Sequence, residues 1–239
     1  MVDAMERKMK QRVLVIDVGG SHVKARVSNR RDVRQFESGP RMTAARMVAG
    51  VHKLVGDWKY DVVSIGYPGV VIHGRIATEP YNLGRGWVGF DFRGAFGRPT
   101  RVINDAAMQA IGSYQGGSML FLGLGTGLGS AMIVDGVVES MELAHLHYKK
   151  GRTYEEYIGV AGLELRGKKR WRKSVLDIIG RLQAALVCEY VLLGGGNAKL
   201  MKALPLHVII GANSNAIEGG IRMWQEPSEL KSLVHPVKK

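Results

Sequence analysis

Two short segments of this chain follow the same plan. Arg12–Val18 (RVLVIDV) is a run of β-branched residues ending in Asp17-Val18, passing through Gly19-Gly20-Ser21 and resuming over Val23–Ser28. Met119–Leu124 runs into Gly125-Thr126-Gly127, resumes over Ser130–Val134 and turns at Asp135-Gly136. Short apolar runs broken by glycine read as strands joined by tight turns, with weak alternation because such strands are buried on both faces. Each hairpin is followed by helix and strand signals. The expected architecture is therefore α/β, with two similar lobes and a cleft between them. The boundary falls near Ser113, giving lobes of 11–112 and 113–239, and a closing helix near 216–225 is expected to pack back on the first lobe.

The remaining signals fit that plan. Met47, Val48, Val51, Leu54 and Val55 share one helical face behind Thr43 as N-cap, with Gly56 as the stop. Asp61–Tyr67 reads as a strand broken by Pro68-Gly69, Gly74–Gly97 as a loop with a short ribbon, and Arg101–Ile103 as a strand leading into a helix capped by Asn104. Val175, Ile178, Ile179, Leu182 and Leu186 have helical spacing, Glu189–Leu193 and His207–Ile210 are strand-like, and Ala216–Trp224 closes the chain's pattern with a helix.

Composition narrows the partners. The 239 residues carry 34 Lys and Arg against 21 Asp and Glu, net +13, which favours anionic ligands. Cys188 is the one cysteine, so an intramolecular disulfide framework and a cysteine-only zinc cage are excluded, and a reducing cytoplasmic location is expected. MVDAMERKMKQR has charges of both signs and no apolar core of a leader. Ser113–Val134 is uncharged over 22 positions, yet its glycines make two buried strands a better reading than a membrane helix.

Glycine lets the backbone approach a phosphate closely and offer its N–H groups. Three such cradles follow apolar strands: Gly19-Gly20-Ser21, Gly125-Thr126-Gly127 and Gly194-Gly195-Gly196 with Asn197. Any one of them is an ordinary hairpin feature; three in one chain point to phosphate. No GxxxxGK[ST] loop is present, and Gly84-Arg85-Gly86-Trp87-Val88-Gly89 matches GxGxxG without the strand before it or the helix after it that a dinucleotide site needs. Asp105 starts a helix directly after a strand and Asn104, where it reads either as a helix-capping acid or as a general base for phosphoryl transfer. Asp17 reads either as a turn residue or as an anchor for metal-bound water. Glu142 and His145 are three residues apart, so a helical turn would make them neighbours; His145 and His147 lack a third ligand for zinc.

Together these segments resemble the ROK family of sugar kinases and repressors, and within it the polyphosphate-dependent glucokinases. The matching residues are Asp17-Val18-Gly19-Gly20-Ser21 with Lys24, Tyr67-Pro68-Gly69, Asn82-Leu83 with Trp87, Asn104-Asp105, Leu122–Gly129, Glu142-Leu143-Ala144-His145, and Leu193–Lys199. His147–Tyr157 is similar to the basic stretch of the polyphosphate-dependent members, where most of the family places a cysteine-rich zinc motif. The resemblance implies an actin-like, RNase H-like fold and transfer of a terminal phosphoryl group from polyphosphate, and also ATP, to the 6-hydroxyl of glucose. Asp105 is the implied catalytic base. Gly69, Asn82, Asn104, Asp105, Glu142, His145 and Glu155 are implied at the sugar. Asp17, Gly19, Gly20, Ser21, Lys24, Gly125, Thr126, Gly127, Gly195, Gly196 and Asn197 are implied at the phosphates. Mg²⁺ is implied, with Asp17 holding it through water, and structural zinc is not. A homodimer is implied as well. Ala144 departs from the family's usual glycine and is expected to disturb a sugar contact; His22 stands where related loops have a small residue.

The alternatives are an ATP-dependent kinase for another hexose and a weakly catalytic sugar- or polyanion-binding protein. From Lys149 to Lys173 the chain has nine basic and three acidic residues, net +6. Lys149, Lys150, Arg152, Lys168, Lys169, Arg170, Arg172 and Lys173 are read as a track for a phosphate polymer, since each contact with a polyanion gains affinity by counterion release. Trp171 inside the run would let a base stack there, although nucleic acid is not the expected partner, nor is a membrane.

Overall fold

The computed structural model of the protein describes residues 11–212 and 215–225. The first ten residues, read above for a leader, and 226–239, the end of the expected second lobe, lie outside the described residues.

The chain divides into two compact units: one comprises residues up to Met108 together with 216–224, the other runs from Gln109 to Asn215. In the first, the strands are β1 (Val13–Val18), β2 (His22–Val27), β3 (Arg34–Glu37), β4 (Val62–Tyr67) and β7 (Thr100–Asn104), in the order β3-β2-β1-β4-β7. β1, β2 and β3 pair antiparallel, while β1–β4 and β4–β7 are parallel. In the second, β8 (Ser118–Leu124), β9 (Leu128–Val134), β10 (Val137–Met141), β13 (Tyr190–Gly194) and β14 (Val208–Ile210) take the order β10-β9-β8-β13-β14. Again the first three are antiparallel and the last two add in parallel. The two hairpins seen in the sequence are thus the opening strands of two sheets of identical topology. The uncharged stretch from Ser113 to Val134 is the end of a helix and two strands, and among the described residues no helix is long and apolar enough to cross a membrane.

In the first unit α1 (Ala44–Leu54) covers one face of the sheet. Thr43 caps it, its side chain accepting from the Arg46 N–H, and Met47, Val48 and Val51 pack on Leu14, Ile16 and Val63. α6 (Asn215–Arg222) covers the other face, with Ala216 and Ile217 against Val13, Val15 and Val62. The helix approaches so closely that a Cβ on Gly220 would collide with the Val15 side chain. Ser64, fully buried in β4, donates to the Gly220 carbonyl at 2.6 Å and accepts from Trp224 Nε1 at 2.8 Å, so its hydroxyl is satisfied on both sides. The short ribbon expected in the loop is β5 (Val71–Ile72) with β6 (Arg75–Ile76), and α2 (Phe92–Phe96) follows it.

α3 (Asp105–Ser113) contains the division between units. The second unit continues with the hairpin β11 (His147–Lys149) and β12 (Arg152–Thr153), then α4 (Tyr154–Ile158) and α5 (Val160–Leu186). Lys150 and Gly151 make the hairpin turn with φ of 54° and 71°, the left-handed pair a two-residue turn needs. Thr153 and Glu156 form a reciprocal capping box on α4. α5 starts well before the helix expected from Val175 and is interrupted at Gly167 (φ 69°, ψ 159°).

One expectation is overturned here. Trp171 offers no face to a base: it is fully buried, with Nε1 donating to the Ile158 carbonyl at 2.8 Å. Trp171, Val175, Ile178, Ile179 and Leu182 form a single apolar stripe of α5 facing the sheet core, and the charges flank it. Trp171→Ala therefore leaves a large cavity and an unmet carbonyl, and is expected to cost about 3–5 kcal/mol of stability, measured as a shift in the urea unfolding midpoint.

Candidate active site

In the first unit, Asp17 lies one residue before the end of β1, opposite Lys24 on β2 and Gly66 on β4. Burial pushes its carboxyl above the usual range, opposed by the Lys24 charge. The turn that follows is tightly held: the Gly19 N–H donates to the His22 carbonyl at 2.9 Å, and Ser38 donates from its hydroxyl to the Gly19 carbonyl and from its N–H to the Ser21 carbonyl. Gly20 and Ser21 stay exposed. A Cβ on Gly20 would lie 3.8 Å from Asn82 Cβ, so the fold places the residue implied at the sugar directly beside the Gly19–Ser21 turn.

Asn82 owes that position to a residue the sequence did not single out. Glu79 accepts from the Trp87 N–H at 3.2 Å and from the Val88 N–H at 3.3 Å, closing the loop that carries Asn82. Trp87 is fully buried against Tyr67 and donates from Nε1 to the Gly84 and Met42 carbonyls. The GxGxxG match is part of this closed loop, not of a strand-to-helix turn.

At the end of β7, Asn104 donates from Nδ2 to the Gly69 carbonyl at 3.1 Å and accepts at Oδ1 from the Ala107 N–H at 3.0 Å. It is both the cap of α3 and the strap on the Pro68-Gly69 turn. A Cβ on Gly69 would press on the Tyr67 ring at 2.8 Å. Asp105 is the first residue of α3, half-buried, its Oδ1 accepting from the Ala106 N–H at 2.8 Å.

In the second unit two of the glycine cradles come together. Asn197 donates from its N–H to the Leu124 carbonyl at 2.9 Å and from Nδ2 to the Gly125 carbonyl at 3.3 Å. Gly195, at φ 78°, lies against the Leu124 backbone where any side chain would collide. Thr126 and Gly196 are exposed. Glu155 on α4 accepts from the Leu128 N–H at 3.1 Å, directly behind the Gly125–Gly127 turn.

Glu142 precedes a 3-10 turn, Leu143–His145, anchored by buried Ser130, which donates to the Met141 carbonyl and accepts from the Leu143 N–H. The residue is exposed as a whole, yet desolvation pushes its carboxyl up; His145 opposes that shift and Glu155 adds to it. Between Glu142 and His145, the Ala144 methyl is buried in the second unit's hydrophobic cluster.

The basic residues split into two groups. Lys149 Nζ is held at 3.0 Å by Asp177 and at 2.9 Å by the Tyr148 hydroxyl, with Arg181 on the same carboxylate. Hydrogen bonds from Tyr148 and Lys149, then Arg181, hold the Asp177 carboxyl down at about 2. Arg172 is half-buried and donates to the Leu200 carbonyl. Lys150 and Arg152 on the hairpin, and Lys168, Lys169, Arg170 and Lys173 on α5, are exposed. Among the described residues no group of three or more His, Cys, Asp or Glu could hold a metal ion.

The chain is 27% identical over 216 residues to a polyphosphate glucokinase of Mycobacterium tuberculosis, covering 80% of each chain. The structure superposes on an inorganic polyphosphate/ATP-glucomannokinase from Arthrobacter sp. strain KM with a TM-score of 0.78 at 22% identity, covering 90% of this chain and 98% of that one. A ROK family glucokinase from Streptomyces griseus, solved with glucose and AMPPNP, gives a TM-score of 0.71 at 15% identity over 89% of this chain and 98% of that one. The fold is accordingly the actin-like ATPase fold. The ROK family model matches residues 13–140, more than half of the sequence, and the chain belongs to that family.

Proposed function

We propose that this chain is a sugar kinase that moves the terminal phosphoryl group of polyphosphate, and also of ATP, to the 6-hydroxyl of glucose. The observation that carries the reading is the junction at the end of β7: Asn104 spends its amide on capping α3 and strapping the Gly69 turn, which fixes Asp105 at the first turn of the helix. Curated relatives with polyphosphate glucokinase activity in their names support the choice of donor and acceptor.

In this reading Asp105 accepts the proton of the 6-hydroxyl as its oxygen bonds to the terminal phosphorus. The bond from that phosphorus to the bridging oxygen breaks, and the shortened polyphosphate or ADP carries the electron pair away. Glu142, His145, Glu155 and Asn82 would hold the other hydroxyls, and the N–H groups of the glycine turns would meet the phosphate oxygens. Such a reaction asks the protein mainly for positioning and for charge stabilisation.

Asp17 fits a role toward Mg²⁺. It is a desolvated carboxylate beside the exposed Gly20-Ser21 turn, and Mg²⁺ commonly uses one or two carboxylates, waters and substrate phosphates rather than a protein cage. The ion would neutralise charge on the donor phosphates. The test of the whole reading is a coupled assay for glucose 6-phosphate with polyphosphate and ATP run side by side. Formation of glucose 6-phosphate from polyphosphate is expected; turnover of ATP alone, or of another hexose alone, would reassign donor or acceptor, and no turnover with any pair would overturn the reading.

A further inference from the structure

We propose that Glu155 is a positioning residue for the donor as well as a contact for the sugar: its carboxylate holds the Gly125–Gly127 turn in shape with one oxygen and keeps the other for the acceptor. The inference rests on the sugar kinase reading above.

Three observations on the second unit carry it. Glu155 Oε2 accepts from the Leu128 N–H at 3.1 Å, the first amide after the turn. Its carboxylate fills the space where a side chain at Gly127 would stand, so that glycine is demanded by the carboxylate; Gly127 has no left-handed backbone to demand it. The backbone of the same helix end closes the other side: the Gly159 N–H donates to the Glu155 carbonyl at 2.8 Å, and the Val160 N–H donates to the Thr126 carbonyl at 3.1 Å. The turn is therefore bolted to α4 and the start of α5 through the side chain and the main chain of one short segment.

The charge of Glu155 reaches Glu142, one of the residues the proposed reaction places at the sugar, and helps push its carboxyl up. A carboxylate has two oxygens and about four lone-pair sites. One oxygen on the Leu128 N–H leaves the other for a sugar hydroxyl, so one carboxylate serves both the donor turn and the acceptor. Loss of the carboxylate releases both, whereas a neutral amide in its place keeps an oxygen for Leu128 and loses only the negative charge toward the sugar.

The test is equilibrium binding by calorimetry, with ATP, with a polyphosphate of defined length, and with glucose, on the full chain and on Glu155→Ala and Glu155→Gln. Glu155→Ala is expected to weaken both donors and glucose by about tenfold, the scale of a lost hydrogen bond to a charged group. Glu155→Gln is expected to weaken glucose similarly while leaving both donor affinities within about twofold, because its oxygen still meets the Leu128 N–H. If Glu155→Ala binds donors as tightly as the parent, or if Glu155→Gln fails to restore donor binding while it unfolds at the parent's temperature, the inference is overturned. A parent that binds neither ATP nor polyphosphate also overturns it. A parent that binds donors but phosphorylates no sugar overturns the proposed reaction instead, and the binding data on the variants still decide the role of Glu155.

Discussion

Asp105→Asn is expected to lower kcat by about 10²–10⁴-fold, the contribution typical of a positioned general base, with glucose affinity within about twofold of the parent. The substitution is close to isosteric. Asn retains an oxygen that can accept from the Ala106 N–H as Asp105 does at 2.8 Å, so the first turn of α3 keeps its hydrogen bond. What disappears is the capacity to take up a proton, together with a favourable charge at a helix N-terminus worth about 0.3–1 kcal/mol. The junction itself is held by Asn104, whose two bonds to Gly69 and Ala107 do not involve Asp105. Loss of turnover without loss of binding is thus the signature of the base, since an interaction made only in the transition state lowers kcat and kcat/KM together. Glucose binding by calorimetry and the coupled assay on the same preparation separate the two. A variant as fast as the parent would remove Asp105 from the chemistry. A variant that loses binding and turnover together would make it a sugar anchor or a structural cap.

Asn104→Ala is expected to fail differently. It removes the cap of α3 and the strap on Gly69 at once, leaving the Gly69 carbonyl and the Ala107 N–H without these partners. A stability loss of about 1–3 kcal/mol follows, readable as a lowered unfolding midpoint, with turnover falling because Asp105 is no longer held.

The parts of this molecule that were legible in the sequence are those where local chemistry decides the structure. β1, β2, β4 and β8 are dense in β-branched and aliphatic residues, and glycine breaks them at the turns; Thr43 and the apolar stripe of α1 satisfy the rules for a helix start with tertiary packing in agreement. β3 and β10 escaped notice because each is an edge strand with one pairing partner and few buried side chains, so nothing in RQFE or VVESM announces a core face. The front of α5 is hidden by its charges, and Trp171 looks like a surface contact because five basic residues, Lys168, Lys169, Arg170, Arg172 and Lys173, flank it. Its spacing to Val175, Ile178 and Leu182 carried the correct answer.

The site divides along the same line. Asp17, Asn104, Asp105 and the glycine turns stand at strand ends, so motif and position in the fold coincide. Glu79 and Ser130 could not be read this way. Glu79 acts on the main chain of Trp87 and Val88, and Ser130 on that of Met141 and Leu143, and a backbone partner leaves no residue type behind to signal it. The bond from Leu128 to Glu155 joins segments 27 residues apart through an amide, and Gly127 is its only trace in the sequence.

Replacing Lys168, Lys169, Arg170 and Lys173 together with Gln is expected to weaken use of long polyphosphate by about a hundredfold at low salt while changing use of ATP far less. These four charges are exposed on α5 outside the stripe that includes Trp171, so the substitution leaves the core untouched. Arg172 is left in place because its guanidinium is tied to the Leu200 carbonyl, and Lys149 because Asp177 already neutralises it. A flexible polyanion gains affinity from each cation it displaces, and for a single-stranded chain each contact adds about 0.7 to the slope of log affinity against log salt. Removing four contacts flattens that slope by about 3, so the parent and the variant should converge as salt rises from 50 to 200 mM, a range over which such a difference in slope amounts to about 60-fold. ATP carries only three phosphates and so displaces far fewer counterions than a long polymer, and its KM is expected to respond weakly to the four charges and with a shallower salt dependence. The measurement is KM for both donors across that salt range in parent and variant. Parallel salt slopes for polyphosphate in the two proteins would show that the polymer does not run along α5, whatever the sugar or the chemistry turns out to be.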